Sequence, residues 1–401
     1  MIANLAPVTI DSVAFLALAM AVVLAAWSGR PGRFEAVFVA ASAAMALSWL
    51  KPLDLAALAA FLLPPYLVAK SLWGKGGGGG WRVPALIGWQ VALFVVLRRY
   101  EPLDRWLDHP VAVIGLSYML FRVLHLVVEA PLSGRLALTP ARYLAYVGAF
   151  WTLLAGPIQR YDQFCEGLAG VTRPQPAELL AGGHRAVNGL LKAFLIAPIL
   201  FDASKLDLLA LPGAGWSDAA LVFYGYPAYL YLNFSGYTDV VIGLAALCGM
   251  RLPENFDRPF LSRNVQEFWG RWHMSFGVWI RSYVFTPLCK ALLNKSHGRH
   301  ADPLTALALM VTFVVVGLWH GTTAGFVLFG LAHGAAIVAG AVWSGLLKAK
   351  LGKPGRKAFL AHPATAALST VVTFHFVCLT MQTFANPLGT SWAGWTGFLG
   401  R

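Results

Sequence analysis

The chain has 401 residues, 58% of them hydrophobic and 12% charged, with a mean hydropathy of +0.63. An ordinary soluble domain carries about a quarter charged residues, so too few are present to coat a globule of this size, which argues against a water-soluble fold. The formal net charge is +13, but the basic residues fall in short clusters between apolar runs. That distribution is not the one-faced stripe of a nucleic-acid-binding protein; it reads as membrane topology.

Apolar runs suited to crossing a bilayer, about 17 to 25 residues, recur through the chain. Lipid offers a bare backbone no partners, so such runs must be helices or strands of a closed barrel, and continuous rather than alternating stretches select helices. The first two runs cover Val13 to Trp27 and Phe34 to Leu50. The first lacks a basic n-region and a small-residue cleavage site, so it reads as a retained helix and not as a removed signal peptide. Arg30 and Arg33 follow the first span, Lys70, Lys75 and Arg82 the third, and Arg135 and Arg142 the fifth, with almost no positive charge before Asp11. The positive-inside rule puts those loops in the cytoplasm and the N-terminus outside. Lys348, Lys350, Lys353, Arg356 and Lys357 mark the strongest cytoplasmic loop.

In the third span, Leu55 to Trp73, Pro64 and Pro65 predict a kink or a break. The run Gly76 to Gly80 is a flexible linker; no Gly-Lys-Ser/Thr follows it, as a phosphate-binding loop would require. From Val111 to Val128 a span carries Arg122 and His125 at helical spacing, so it faces protein and not lipid. Gly156-Pro157-Ile158, followed by Arg160 and Tyr161, marks a broken or re-entrant segment. Between Ala177 and Leu200 the residues His184, Arg185, Asn188 and Lys192 interrupt the apolar pattern, which predicts an amphipathic helix in the interface. Spans resume near Ala219 and cover Leu304 to Trp319, Ala324 to Leu346 and Ala366 to Phe384, for about eleven crossings. No internal repeat is evident, which weighs against an inverted-repeat transporter. The chain divides into N-terminal transmembrane helices, 1–110, and a core, 111–401. Cys165, Cys248, Cys289 and Cys378 form no CxxC pair and read as small apolar residues.

The least lipid-like region runs from Asn233 to Tyr283. It holds Asn233, Ser235, Tyr237 and Asp239, then Pro253-Glu254-Asn255-Phe256-Asp257-Arg258-Pro259, then Glu267, Trp269, Arg271, Trp272, His273, Ser275, Trp279, Arg281 and Tyr283. Buried polar groups need partners, so this region should line a cavity.

Further on, the apolar helix Leu304 to Leu318 ends in Trp319-His320-Gly321. His320 therefore arrives at depth on the end of a rigid element, and two readings of it stand. A neutral imidazole there could take the proton of an acceptor hydroxyl attacking an acyl carbonyl, or it could be a histidine hydrogen-bonded within a bundle. His297 and His300 sit in a basic loop, His109, His184 and His362 near span or loop ends. His125, His333 and His375 read as satisfied bundle histidines. No HExxH-like spacing supports a metal.

The stretch NFSGYTDVVIGLAALCGMRLPENFDRPFLSRNVQEFWGRWHMSFGVWIRSYVFTPL, Asn233 to Leu288, resembles the signature block of bacterial membrane-bound O-acyltransferases, the MBOAT family. GLWHG, Gly317 to Gly321, resembles their second block. The resemblance implies an all-α polytopic membrane protein, with about 11 transmembrane helices ringed around a thinned centre and a buried tunnel. It implies His320 as the essential catalytic residue and His273 as a second polar residue at the reaction centre. Asn255, Trp269, Arg271, Trp272, Ser275, Arg281 and Asp239 are candidates for tunnel and donor contacts. No metal and no bound cofactor are implied. The donor is a thioester, of a phosphopantetheine carrier protein or of coenzyme A; being already activated, it needs no ATP for transfer to a hydroxyl.

Three further pieces, GLSYMLFRVLHLVVEA at Gly115 to Ala130, GPIQRYDQF at Gly156 to Phe164 and TFHFVC at Thr373 to Cys378, resemble the family branch that transfers D-alanyl groups to teichoic acids. That branch implies an acyl carrier protein on the cytoplasmic side, a membrane-anchored extracytoplasmic partner of the SGNH type, membrane lipid as surroundings and no nucleic acid. The alternative is O-acetylation of a secreted polysaccharide or peptidoglycan. Asn233 stands where many relatives carry Asp, and Thr380-Met381-Gln382 replaces a Trp-containing run of the polysaccharide-acetylating branch. A transporter using Arg122, His125, Asp239, Glu267 and His320 as a polar pathway is the reading from another class; the ordered Trp-His-Gly and Arg-Trp-His blocks argue against it. Helical spans place the protein in a bacterial inner membrane.

Overall fold

In a computed structural model the described residues are 12–76, 79–98, 111, 113, 115–133 and 137–400. The orientation signal before Asp11, His109, Arg135 and the middle of the Gly76 to Gly80 linker lie outside them. The helices run α1 (Val13–Trp27), α2 (Pro31–Trp49), α3 (Pro52–Leu72), α4 (Arg82–Leu97), α5 (Leu116–Glu129), α6 (Pro140–Val147), α7 (Tyr161–Ala169), α8 (Pro176–Leu190), α9 (Ala197–Ala203) and α10 (Trp216–Leu247). They continue as α11 (Val265–Trp269), α12 (Met274–Ile280), α13 (Thr286–Lys295), α14 (Ala301–His320), α15 (Ala324–Ala361), α16 (Pro363–Ala385) and α17 (Leu388–Leu399). Among the described residues the extended pairing is a single antiparallel bridge, Phe256 with Trp272.

Local chemistry sets many of the helix starts. Proline at the first helical position, where the N–H would have no partner, opens α2, α3, α6, α8 and α16. Side-chain oxygens cap other free donors: Ser12 Oγ accepts from Phe15 N at 3.1 Å, Thr139 Oγ1 from Arg142 N at 3.2 Å and Asn264 Oδ1 from Glu267 N at 2.8 Å.

Six helices among the described residues are long and apolar enough to cross a membrane: α3, the stretch Pro176–Ala210, α10, α14, α15 and α16. They account for part of the eleven or so crossings expected. The apolar helices α1 and α4 are shorter, and the Val111 to Val128 run contributes only the 14-residue α5. Three other stretches bear on the expectations. Of the kink or break expected at Pro64 and Pro65, the break is absent, since α3 runs through both. Pro65 has no N–H to give the carbonyl of Phe61, and the buried Gln90 supplies one instead, its Nε2 donating to Phe61 O at 2.9 Å. The stretch from Ala177 to Leu200, expected as an amphipathic interfacial helix, lies in an element, Pro176–Ala210, that is long and apolar enough to cross a membrane. Its cations Arg185 and Lys192 both reach Asp239, at 2.9 and 2.7 Å, a partner that linear sequence does not reveal. The basic stretch Lys348 to Lys357 is helical on both sides of a break at Gly352, φ 69°.

Two compact units emerge, residues 1–194 with 234–253 and residues 195–233 with 254–401. The first has an aromatic core in which Phe38 meets Phe150, Trp151 and Phe164. As expected, α5 faces protein: every residue from Leu116 to Val127 is buried. Arg122 donates from Nη1 to the carbonyls of Tyr146 and Val147 and from Nη2 to Thr152 O and Oγ1. It thereby satisfies the last carbonyls of α6 and one in the segment leading to Gly156. The second unit contains α14 and α15, joined over a seam without side chains. A Cβ on Gly317 would collide with the carbonyl of Phe326, and one on Gly330 with that of Phe313.

Candidate active site

His320 is the last residue of α14, where a run of apolar residues delivers it half-buried. Phe384 meets its ring edge-on at 4.8 Å, and Phe326, Phe329 and Trp319 lie at 6.1, 6.2 and 4.5 Å. Gly321 allows the close turn, because a Cβ there would lie 2.6 Å from the Phe326 ring. The seam at Gly317 and Gly330 thus fixes the end of α14 against α15.

His273 stands in a tighter frame. Its backbone is left-handed, φ 46° and ψ 51°, a conformation that costs a non-glycine residue about 1–2 kcal/mol. A short ladder holds it: Asp257 N donates to Arg271 O at 2.9 Å, Phe256 pairs with Trp272, and Met274 N donates to Asn255 O at 3.0 Å. The residue then starts α12, with Gly277 N donating back to its carbonyl. Burial, and after it the neighbouring His320, push the His273 imidazole down to about 3. It is therefore neutral at physiological pH.

The two histidines are the ends of a series of rings. His273 stacks on Phe276 at 5.1 Å, Phe276 on Trp319 at 4.8 Å, and Trp319 lies 4.5 Å from His320. Of these four rings Phe276 also lines a cavity of about 630 Å³, whose walls include Trp269, Arg281, Asp302, Thr312 and Phe313. From Asp302 to Val316 the cavity follows α14 for roughly 21 Å at a rise of 1.5 Å per residue.

Of the residues singled out in the sequence, Trp269 and Arg281 line this cavity. Asn255 and Ser275 form the scaffold beside His273. The fully buried Asn255 accepts from Ser275 N at 3.1 Å and Ser275 Oγ at 2.6 Å; the backbone donor fixes which amide atom is oxygen. Its Nδ2 is buried with no hydrogen-bond partner among the described residues. Trp272 is packed in a cluster with Phe256, Phe268, Val377 and Met381. Arg271 pairs with Glu267 at 2.7 Å, and the pair is about a third exposed. Asp239 lies in the first unit with Arg185 and Lys192. Of the polar-pathway residues, Arg122, His125 and Asp239 belong to the first unit, Glu267 and His320 to the second.

Sequence reasoning did not single out Phe276, Phe329 or Phe384. Phe276 sits inside the signature block, three residues after His273, where helical spacing would have suggested stacking. Phe329 and Phe384 come from α15 and α16, and nothing local announces them.

Compared with known protein families, the chain matches the membrane-bound O-acyltransferase (MBOAT) model over residues 137–382, more than half its length, with both histidines inside. It belongs to this family and is a multi-pass membrane acyltransferase. The teichoic acid D-alanyltransferase of Bacillus subtilis (strain 168) is 30% identical over 281 residues, 69% of each chain. That of Streptococcus thermophilus is 30% identical over 315 residues, 75% of each. The probable alginate O-acetylase AlgI of Pseudomonas aeruginosa is 32% identical over 238 residues, 57% of this chain and 42% of the other.

Proposed function

We propose that the enzyme takes a D-alanyl group from a cytoplasmic thioester carrier and delivers it to a hydroxyl of an extracytoplasmic envelope polymer such as teichoic acid. The observation that carries this reading is the ring series from His273 to His320, whose Phe276 also walls a largely apolar cavity along α14. A thioester on a phosphopantetheine arm, or on coenzyme A, suits a cavity of that length. His320 is the catalytic base. Its imidazole accepts the acceptor's hydroxyl proton as the oxygen bonds to the thioester carbonyl carbon. When the C–S bond breaks, the imidazolium returns that proton to the departing thiolate, so nothing is consumed but the thioester. His273, neutral under these conditions, sits at the far end of the ring series and supports the Phe276 and Trp319 rings against which His320 rests. Asn255, Ser275, Arg271 and Trp272 hold the His273 frame, and Trp269 and Arg281 contact the donor.

The D-alanyltransferase relatives match along more of this chain than the alginate O-acetylase does, which favours D-alanyl over acetyl. This reading entails a carrier protein on the cytoplasmic side and a DltD-like, membrane-anchored partner that completes delivery. The O-acetylase relative keeps a second reading open, acetyl transfer to a secreted polysaccharide or peptidoglycan.

Cells lacking the gene, complemented with wild type or His320→Ala, test both. Loss of ester-linked D-alanine from the envelope in the deletion and the variant supports the first reading, and loss of acetate the second. Removing a general base lowers the rate about 10²- to 10⁴-fold. A folded His320→Ala enzyme with wild-type transfer would overturn the assignment.

A further inference from the structure

Trp269 belongs both to the cavity wall and to the aromatic cluster around Trp272. An indole N–H can only donate, and this one donates to His333 Nδ1 at 3.1 Å. Nδ1 must then carry the lone pair, so a neutral imidazole bears its proton on Nε2, 2.9 Å from Thr380 Oγ1. The Thr380 hydroxyl passes its own proton to the carbonyl of Phe376 or Val377, each at 3.0 Å. The first donor thus fixes the direction of the whole chain, from indole through imidazole and hydroxyl to backbone.

His333 is fully buried and wedged between Phe329 at 4.3 Å and Phe376 at 5.1 Å. Phe329, like Phe384, also stands edge-on to His320. Trp269 in turn meets Phe313 at 5.3 Å, at the end of the cavity nearest His320, where Thr312, Phe313 and Val316 line it. A satisfied bundle histidine would explain the hydrogen bonds alone. It would not explain why they begin on a side chain that walls the cavity.

We propose that His333 is a positioning residue that sets acyl-group size: by holding the Trp269 indole across the inner end of the cavity, it limits the space left for the acyl group. The inference rests on the cavity being the donor site, and it adds a selectivity device to that reading. Thr380 is the anchor of the device.

Membranes carrying the full-length enzyme, given acetyl-, D-alanyl- and hexanoyl-pantetheine thioesters with the endogenous envelope polymer as acceptor, provide the test. Wild type is expected to transfer the small groups and discriminate against hexanoyl. His333→Leu should raise the hexanoyl to D-alanyl ratio of kcat/KM at least tenfold, mostly through KM. Thr380→Val, which keeps the shape, should move it in the same direction by less. His333→Asn, whose Oδ1 can still accept from the indole, should stay near wild type. A ratio unchanged in both His333→Leu and Thr380→Val overturns the inference, as does a His333→Asn enzyme that behaves like His333→Leu. If His333→Leu does not accumulate, Thr380→Val decides alone, a shifted ratio supporting the inference and an unchanged one overturning it. Wild-type membranes that transfer none of the three thioesters would overturn the donor reading itself, and the inference with it.

Discussion

Proline interrupts a membrane-length helix in each unit, and the two interruptions are repaired with the same side chain. In the first unit Pro65 frees the carbonyl of Phe61, and Gln90 Nε2 binds it at 2.9 Å. In the second, Pro227 within α10 frees the carbonyl of Phe223, and Gln382 Nε2 binds that, also at 2.9 Å. A carbonyl left bare at depth costs several kcal/mol, so both glutamines keep a helix continuous. Their surroundings differ. Gln90 sits among apolar helices with no residue of the candidate site nearby in its unit. Gln382 stands two residues beyond Thr380, the anchor of the His333 chain. The same repair stands apart from the candidate site in one unit and on a helix that carries part of it in the other.

The largest effect should come from the second unit. Gly317→Val would drive a side chain into the Phe326 carbonyl and push α14 off α15; acyl transfer per folded molecule should fall at least a hundredfold. A variant with normal transfer would show that the seam does not position His320. Next come the two glutamines. Gln90→Leu and Gln382→Leu should each lower stability by about 1–3 kcal/mol, measured by thermal unfolding in detergent, but only Gln382→Leu should also reduce transfer, by roughly tenfold. Equal activities would break the contrast between the units.

Asp239→Asn removes the carboxylate shared by Arg185 and Lys192. We expect a stability loss of about 1–3 kcal/mol with transfer per folded molecule retained. Lost transfer in a folded variant would instead assign Asp239 to the tunnel. The smallest effect concerns pH. The folded His273 imidazole titrates at about 3 and an unfolded one at about 6.5. Between these values the unfolded chain binds the extra proton, so this contribution is complete above about pH 6.5 and declines as pH falls toward 3. His273→Gln should flatten that part of the stability profile, which unfolding measured from pH 7 to pH 4 would reveal.

Much of the site could be read because its residues are close in sequence. Asn255, Trp269, His273 and Ser275 fall within one block, and His320 ends a helix whose apolar run is unmistakable. His333 and Thr380 could be read only as members of apolar helices, since their meaning depends on Trp269, 64 and 111 positions away. The Ala177 to Leu200 segment is ambiguous in sequence for a similar reason. A lysine and an arginine among leucines signal an interface until a carboxylate is found to neutralise them, and Asp239 lies two helices further along.

The sequence by itself determined the helical membrane character, the family blocks and the delivery of His320 on a rigid rod, because hydropathy, proline position and glycine at a close turn act over a few residues. Tertiary structure decided which proline gaps are healed, which cations are neutralised and which histidine holds the cavity wall. Each of those depends on a donor or acceptor supplied from a distant helix, and a buried polar group takes its role from the partner it meets.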